Sequence, residues 1–182
     1  MERVAQAGRR RFLGIATGAA LTALAFPAEA ARRLIRPRGI AFRNLHTGEA
    51  LDALYWADGR YLPDALQRIE WLLRDHRTDE VHPIDPRLLD LLVDLQARLH
   101  TRAPFEVLSA YRSPQTNAML ASLSDGVAQN SLHMEGKAVD VRVPGRRLKQ
   151  VRSAAMALRG GGVGYYPHSD FVHIDTGRIR HW

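Results

Sequence analysis

The chain has 182 residues, no cysteine, an apolar share of 46% and a formal net charge of +7. That length suits one globular domain with a real core, and the lack of thiols excludes a disulfide framework or a cysteine-rich structural metal site. A basic balance fits nucleic acid, anionic lipid or an acidic polymer, yet neither an aromatic-rich RNA motif nor a DNA-reading finger is present.

Residues 1–30 read as an export signal rather than as part of the fold. Arg9, Arg10 and Arg11 precede an apolar run over residues 12–26, and Ala28, Glu29 and Ala30 have the small-x-small form of a cleavage site. The arginines followed by Phe12 and Leu13 also resemble the twin-arginine export pattern. The apolar run falls short of the roughly twenty residues that span a bilayer. Cleavage is therefore expected over permanent anchoring, with membrane contact only through this segment if it is retained. Removing it takes away four Arg and two Glu and leaves a charge of +5. An exported basic domain is expected in the periplasm, where cell-wall polymer is a better partner than nucleic acid.

Residues 31–39, rich in arginine, read as a basic linker, and the folded domain is expected over residues 40–182. Residues 40–45 and 50–56 predict a β-hairpin around His46, Thr47, Gly48 and Glu49. Leu62, Leu66, Ile69, Leu72 and Leu73 predict a helix after Pro63, and Leu88, Leu89, Leu92, Leu95 and Leu99 a second one after Asp85 and Pro86. Phe105, Val107 and Ser109 alternate as in a strand that leads to Arg112, after which Ser113 and Pro114 open a short helix over residues 115–123. A polar loop follows over residues 124–130. Residues 138–143 predict a strand with Val139, Val141 and Val143 on one face and Asp140 displayed on the other. Leu148, Val151, Ala155 and Leu158 mark a helix expected to end at Gly160, Gly161 and Gly162. Two strands over residues 163–166 and 171–175, joined by Pro167, His168, Ser169 and Asp170, put His173 and Asp175 on one face. The class is α+β: a small, mainly antiparallel sheet with packed helices.

The chemistry concentrates in Ser-x-His-x-x-Gly-x-Ala-x-Asp, from Ser131 to Asp140, and in a later Val-His-Ile-Asp that holds His173 and Asp175. His133 and Asp140 stand too far apart for adjacent ligands on one helix, but Gly136 can turn the chain so that they face each other. His173, on a strand that can neighbour the first, is expected as the third ligand. Neutral imidazole and carboxylate suit Zn²⁺, and three protein ligands leave a position for water whose pKa falls to about 7. A serine hydrolase built on Ser131, His133 and Asp140 fails, because no Gly-x-Ser-x-Gly elbow exists and Ser131 lies only two residues from its base.

At these residues the chain resembles the zinc D-Ala-D-Ala peptidase family, in the superfamily of hedgehog domains and lysostaphin-type enzymes. Asn44-Leu45-His46-Thr47-Gly48-Glu49, Tyr111-Arg112-Ser113, Gly161-Gly162-Val163-Gly164-Tyr165-Tyr166-Pro167 and Arg180-His181-Trp182 narrow the likeness to the MepK (YcbK-like) murein endopeptidases. The resemblance implies a hedgehog/DD-peptidase-like scaffold with His133, Asp140 and His173 on Zn²⁺. It implies peptidoglycan stem peptides as partners and cross-links as the bonds cut, with 3-3 diaminopimelate links ahead of D-Ala-diaminopimelate links. Arg112 matches the family arginine placed before the metal motif, where a fixed guanidinium can hold a substrate carbonyl or carboxylate and stabilise developing negative charge; a surface ion pair is the alternative. For the general base, relatives carry Glu three residues before the last zinc His, where this chain has Asp170. Asp175 is the other candidate, or else it orients an imidazole. His168 falls where some relatives carry a catalytic or oxyanion-binding His, and it departs from the Arg expected in MepK-type chains. A D-Ala-D-Ala carboxypeptidase and a non-catalytic zinc-containing binding module stay open as alternatives, and a monomer is expected.

Overall fold

A computed structural model describes residues 36–123 and 128–182. The segment read as an export signal and part of the polar loop over residues 124–130 lie outside the described residues. Strand β1 (Arg38–Asn44) turns back into β2 (Ala50–Ala57), with Arg43 opposite Ala50. A short β3 (Arg60–Tyr61) lines the outer edge of this hairpin. Helices α1 (Pro63–Leu72) and α2 (Pro86–Arg98) follow, each opened by a proline whose missing N–H costs nothing in the first turn. Asp85 caps α2 by accepting the Arg87 N–H at 3.0 Å.

Strand β4 (Phe105–Ser109) then runs parallel to β1 and leads through Arg112 into α3 (Pro114–Leu123). A 3₁₀ turn (Leu132–Glu135) precedes β5 (Ala138–Arg142), and α4 (Leu148–Leu158) is followed by β6 (Gly162–Tyr166), β7 (Phe171–Asp175) and β8 (Arg180–His181). The sheet order is β3-β2-β1-β4-β5-β7-β6-β8, antiparallel except for β1 with β4 and β6 with β8. This is the α+β, mainly antiparallel architecture expected. Among the described residues no helix is long and apolar enough to cross a membrane.

Strand alternation separates the core from the site. Val139 and Val141 of β5 and Val172 and Ile174 of β7 join Leu88, Leu89, Leu92 and Val151 in one apolar cluster. Each fully buried aliphatic side chain there contributes about 1.5–3 kcal/mol. The intervening residues Asp140, His173 and Asp175 take the other face. Asp140 pairs with His173 across β5 and β7, and His173 with Gly164 across β7 and β6, so three strands present one row.

Three expectations need correction. Asp140 is buried, at 7% exposure, rather than displayed, because β5 lies between β4 and β7 and its polar face is covered by His133 and Arg112. Strand β1 begins at Arg38, within the segment read as linker, where Arg38 pairs with Trp56 and binds Asp90. Helix α4 is closed by Arg159 in the left-handed region (φ 53°), before the three glycines. The two-residue strands β3 and β8 were not expected, since so short a run carries no alternation to read.

Candidate metal centre

The register of β5 against β7 sets Asp140 Oδ1 2.9 Å from His173 Nδ1. His133 comes from the 3₁₀ turn. Ser131 begins that turn, its hydroxyl accepting the His133 N–H at 3.4 Å, and Gly136 ends it at φ +63°. A Cβ on Gly136 would collide with the Pro83 carbonyl, so both the backbone angle and the space demand glycine. The strand end and the turn clip together reciprocally: His133 Nδ1 meets the Ala110 carbonyl at 2.6 Å, and the Arg112 N–H returns a bond to the His133 carbonyl at 3.2 Å. His133 Nε2 then lies 3.2 Å from His173 Nδ1 and 3.4 Å from Asp140 Oδ1.

Hydrogen-bond roles decide what these three atoms want. A carbonyl only accepts, so His133 carries its proton on Nδ1; Asp175 Oδ2, 3.0 Å from His173 Nε2, fixes the proton of that ring in the same way. In the neutral rings the other two nitrogens are bare lone pairs, aimed at each other and at a carboxylate. Three acceptors so close repel one another unless a cation sits among them. Their spacing of 2.9–3.4 Å also matches the edge of about 3.3 Å in a tetrahedron of Zn²⁺ donors at about 2.0–2.1 Å. His133, Asp140 and His173 are the group among the described residues whose donor atoms converge in this way. The demand for positive charge shows in the titration of the cluster. Burial pushes the Asp140 carboxyl up, but the neighbouring imidazoles outweigh it and hold it well below the usual range. Burial opposes charging of His173, yet Asp140 and Asp175 pull its pKa up to about 9.

Asp175 is wholly buried. It accepts from His173 Nε2, from both terminal nitrogens of Arg180 at 2.8 and 3.1 Å, and from the N–H groups of Gly162 at 3.0 Å and Gly177 at 2.8 Å. Burial works against its charge, but these donors keep it ionised far below the ordinary carboxylate range. Arg112 stands on the opposite side of Asp140, with Nη2 3.9 Å from Oδ2 and Nη1 3.4 Å from Asn117 Oδ1. Its Nε is buried without a hydrogen-bond partner among the described residues.

Comparison with known proteins shows the family of the chain. The model of the family described as peptidoglycan L,D-endopeptidase MepK matches residues 32–182. The chain is 46% identical over 180 residues to the peptidoglycan L,D-endopeptidase MepK of Escherichia coli K12, covering 97% of both chains. It is also 46% identical over 148 residues to the probable peptidoglycan L,D-endopeptidase MepK of Haemophilus influenzae, covering 81% of this chain and 80% of that one. The chain belongs to the MepK family.

Against that family background, the remaining candidates separate by place. Asp170 and His168 lie exposed on the turn between β6 and β7, and Asp170, at φ 52°, binds Arg142 Nη1 at 2.7 Å. Sequence reasoning missed three supporting residues. Asn117 braces Arg112 while donating to the Ala128 and Gln129 carbonyls, Arg180 neutralises Asp175, and Trp182 sits 5.4 Å from the His173 ring centre. For Arg180 and Trp182 the one available signal was the ending they share with MepK-type chains.

Proposed function

We propose that this chain is a zinc-dependent murein endopeptidase that hydrolyses peptide cross-links of peptidoglycan, 3-3 diaminopimelate links ahead of D-Ala-diaminopimelate links. The observation that carries the reading is the meeting of two imidazole lone pairs and a carboxylate, each imidazole locked in place from its far side. His133, Asp140 and His173 would hold Zn²⁺, which supplies Lewis acidity that polarises the scissile carbonyl and lowers the pKa of the attacking water. Family membership supports the same reading, since its curated members are named as peptidoglycan L,D-endopeptidases.

The protein side chains divide the remaining work. Asp175, its oxygens occupied by five donors, keeps the His173 proton on Nε2 and turns Nδ1 toward the site, a positioning role rather than that of a base. Arg112 holds the substrate carbonyl or a nearby carboxylate and stabilises negative charge that develops there. Its guanidinium is largely desolvated, which strengthens that attraction. Proton transfer falls to the β6–β7 turn, with Asp170 as acceptor once released from Arg142 and His168 beside it to pass the proton to the leaving amine. Residues 1–30 direct the chain through the twin-arginine route to the periplasm, where this substrate is found.

The test uses purified protein, murein sacculi and defined cross-linked muropeptides. Soluble products of cross-link cleavage are expected, with activity lost in EDTA and restored by Zn²⁺. Release of terminal D-Ala alone identifies a carboxypeptidase, and binding without turnover identifies a binding module. Full activity in His173→Ala overturns the metal assignment, and full activity in both Asp170→Ala and His168→Ala removes the turn from proton transfer.

A further inference from the structure

Trp182 is a large apolar side chain that the fold holds still yet leaves 47% exposed. Its N–H donates to the Val163 carbonyl at 3.2 Å, and its own carbonyl accepts from the Tyr165 N–H at 3.0 Å. The indole Nε1–H donates to the Tyr166 hydroxyl at 2.8 Å, and the Arg180 guanidinium lies 4.9 Å from the indole ring centre. Gly164, the β6 residue opposite His173, makes room for the ring: a Cβ there would lie 2.8 Å from two indole carbons and 2.8 Å from the Tyr166 ring. Tyr166 in turn stacks on Phe171 at 4.5 Å, and Phe171 shares the strand face of His173. Trp182 thus stands beside His173, and Tyr166 and Phe171 continue the aromatic surface from it. A core residue would be covered, and a chance surface residue would lack four separate restraints.

We infer that Trp182, backed by Tyr166 and Phe171, is a substrate-contacting wall that determines which cross-link is cut, by packing against the side-chain methylenes of the residue that supplies the scissile carbonyl. This rests on the endopeptidase reading above. In a 3-3 link that residue is diaminopimelate, with a long aliphatic side chain; in a D-Ala link it carries only a methyl. A rigid apolar plate beside the metal ligands favours the former, because each added methylene in an apolar contact is worth roughly 10-fold or more in selectivity. The plate is preorganised, so contact costs little further ordering.

The test compares wild type, Trp182→Ala and Trp182→Phe, all zinc-loaded, on two defined dimeric muropeptides, one with each link. Trp182→Ala is expected to raise KM for the 3-3 dimer about tenfold. On the D-Ala-linked dimer KM should move by less than about twofold, and Trp182→Phe should recover most of the loss on the 3-3 dimer. An equal effect on both dimers overturns the inference, as does no effect on either. Loss of zinc or of thermal stability in Trp182→Phe as well as Trp182→Ala also overturns it, since the ring is then only a prop for His173. If wild type cleaves neither dimer the endopeptidase reading fails by itself, and the affinity for the monomeric muropeptide, measured by calorimetry, still judges the wall: an unchanged Kd in Trp182→Ala rejects it.

Discussion

The pocket around Asp75 and the centre around Asp140 each bury a carboxylate, yet their surroundings are opposites. Asp75, 1% exposed, receives the N–H groups of Arg77 at 2.9 Å and Ser113 at 2.8 Å, together with the Thr116 hydroxyl. Every neighbour that matters is a donor. Asp140 faces the bare nitrogens of two imidazoles, with the Arg112 guanidinium at the long distance of 3.9 Å. A buried carboxylate ringed by donors is a strut, whereas one ringed by acceptors asks for a cation. The two regions are also joined through one peptide link. Ser113 is tied to Asp75, and its neighbour Arg112 leans over Asp140, so the strut aims the guanidinium.

The sharpest break of this contrast is removal of an imidazole. His133→Ala and His173→Ala should each abolish zinc retention and lower cleavage by about a thousandfold or more, with far-UV circular dichroism unchanged, because the apolar core lies on the other face of the sheet. Asp175→Asn comes next. It leaves His173 without its anionic brace, and competition against a chelator should show zinc affinity lower by about 10–100-fold. On the strut side, Asp75→Asn should cost about 1–3 kcal/mol in urea unfolding, by leaving buried donors poorly paired. It should also lower kcat/KM through Arg112 while zinc content stays the same.

The smallest effect is the response to acid. Burial works to raise the Asp75 pKa, but the Thr116, Arg77 and Ser113 donors bring it down to about 2. A folded pKa below the unfolded value of about 3.9 means that Asp75 stabilises the fold above that pH. The contribution, about 2 kcal/mol, drains away as pH falls from about 4 toward 2. Urea unfolding of wild type at stepped pH should show this loss, and Asp75→Asn should lack it.

Periodicity made much of this molecule legible in advance. The β1–β2 hairpin, α1, α2 and the alternation of β5 and β7 follow directly from apolar spacing, and strand phase put His173 and Asp175 on a shared face. Alternation reports which face a side chain takes, but not what covers that face, hence the mistaken expectation of an open Asp140. It is equally silent on reach. Asp170 and Asp175 both stood as candidate bases in the sequence, and only the fold sets one on an exposed turn against Arg142 and the other inside the protein among five donors. Asn117, Arg180 and Trp182 act through contacts across turns between neighbouring segments, which apolar periodicity does not encode.

The pairing of Asp140 with His173 has a consequence for biogenesis. A slip of one residue between these two strands would bring Val172 or Ile174 opposite Asp140 and swing the imidazole into the hydrocarbon layer. Under the zinc chemistry proposed above, metal capture would therefore proofread strand alignment: a misthreaded copy would be born inert, and cutting power would come only after correct folding.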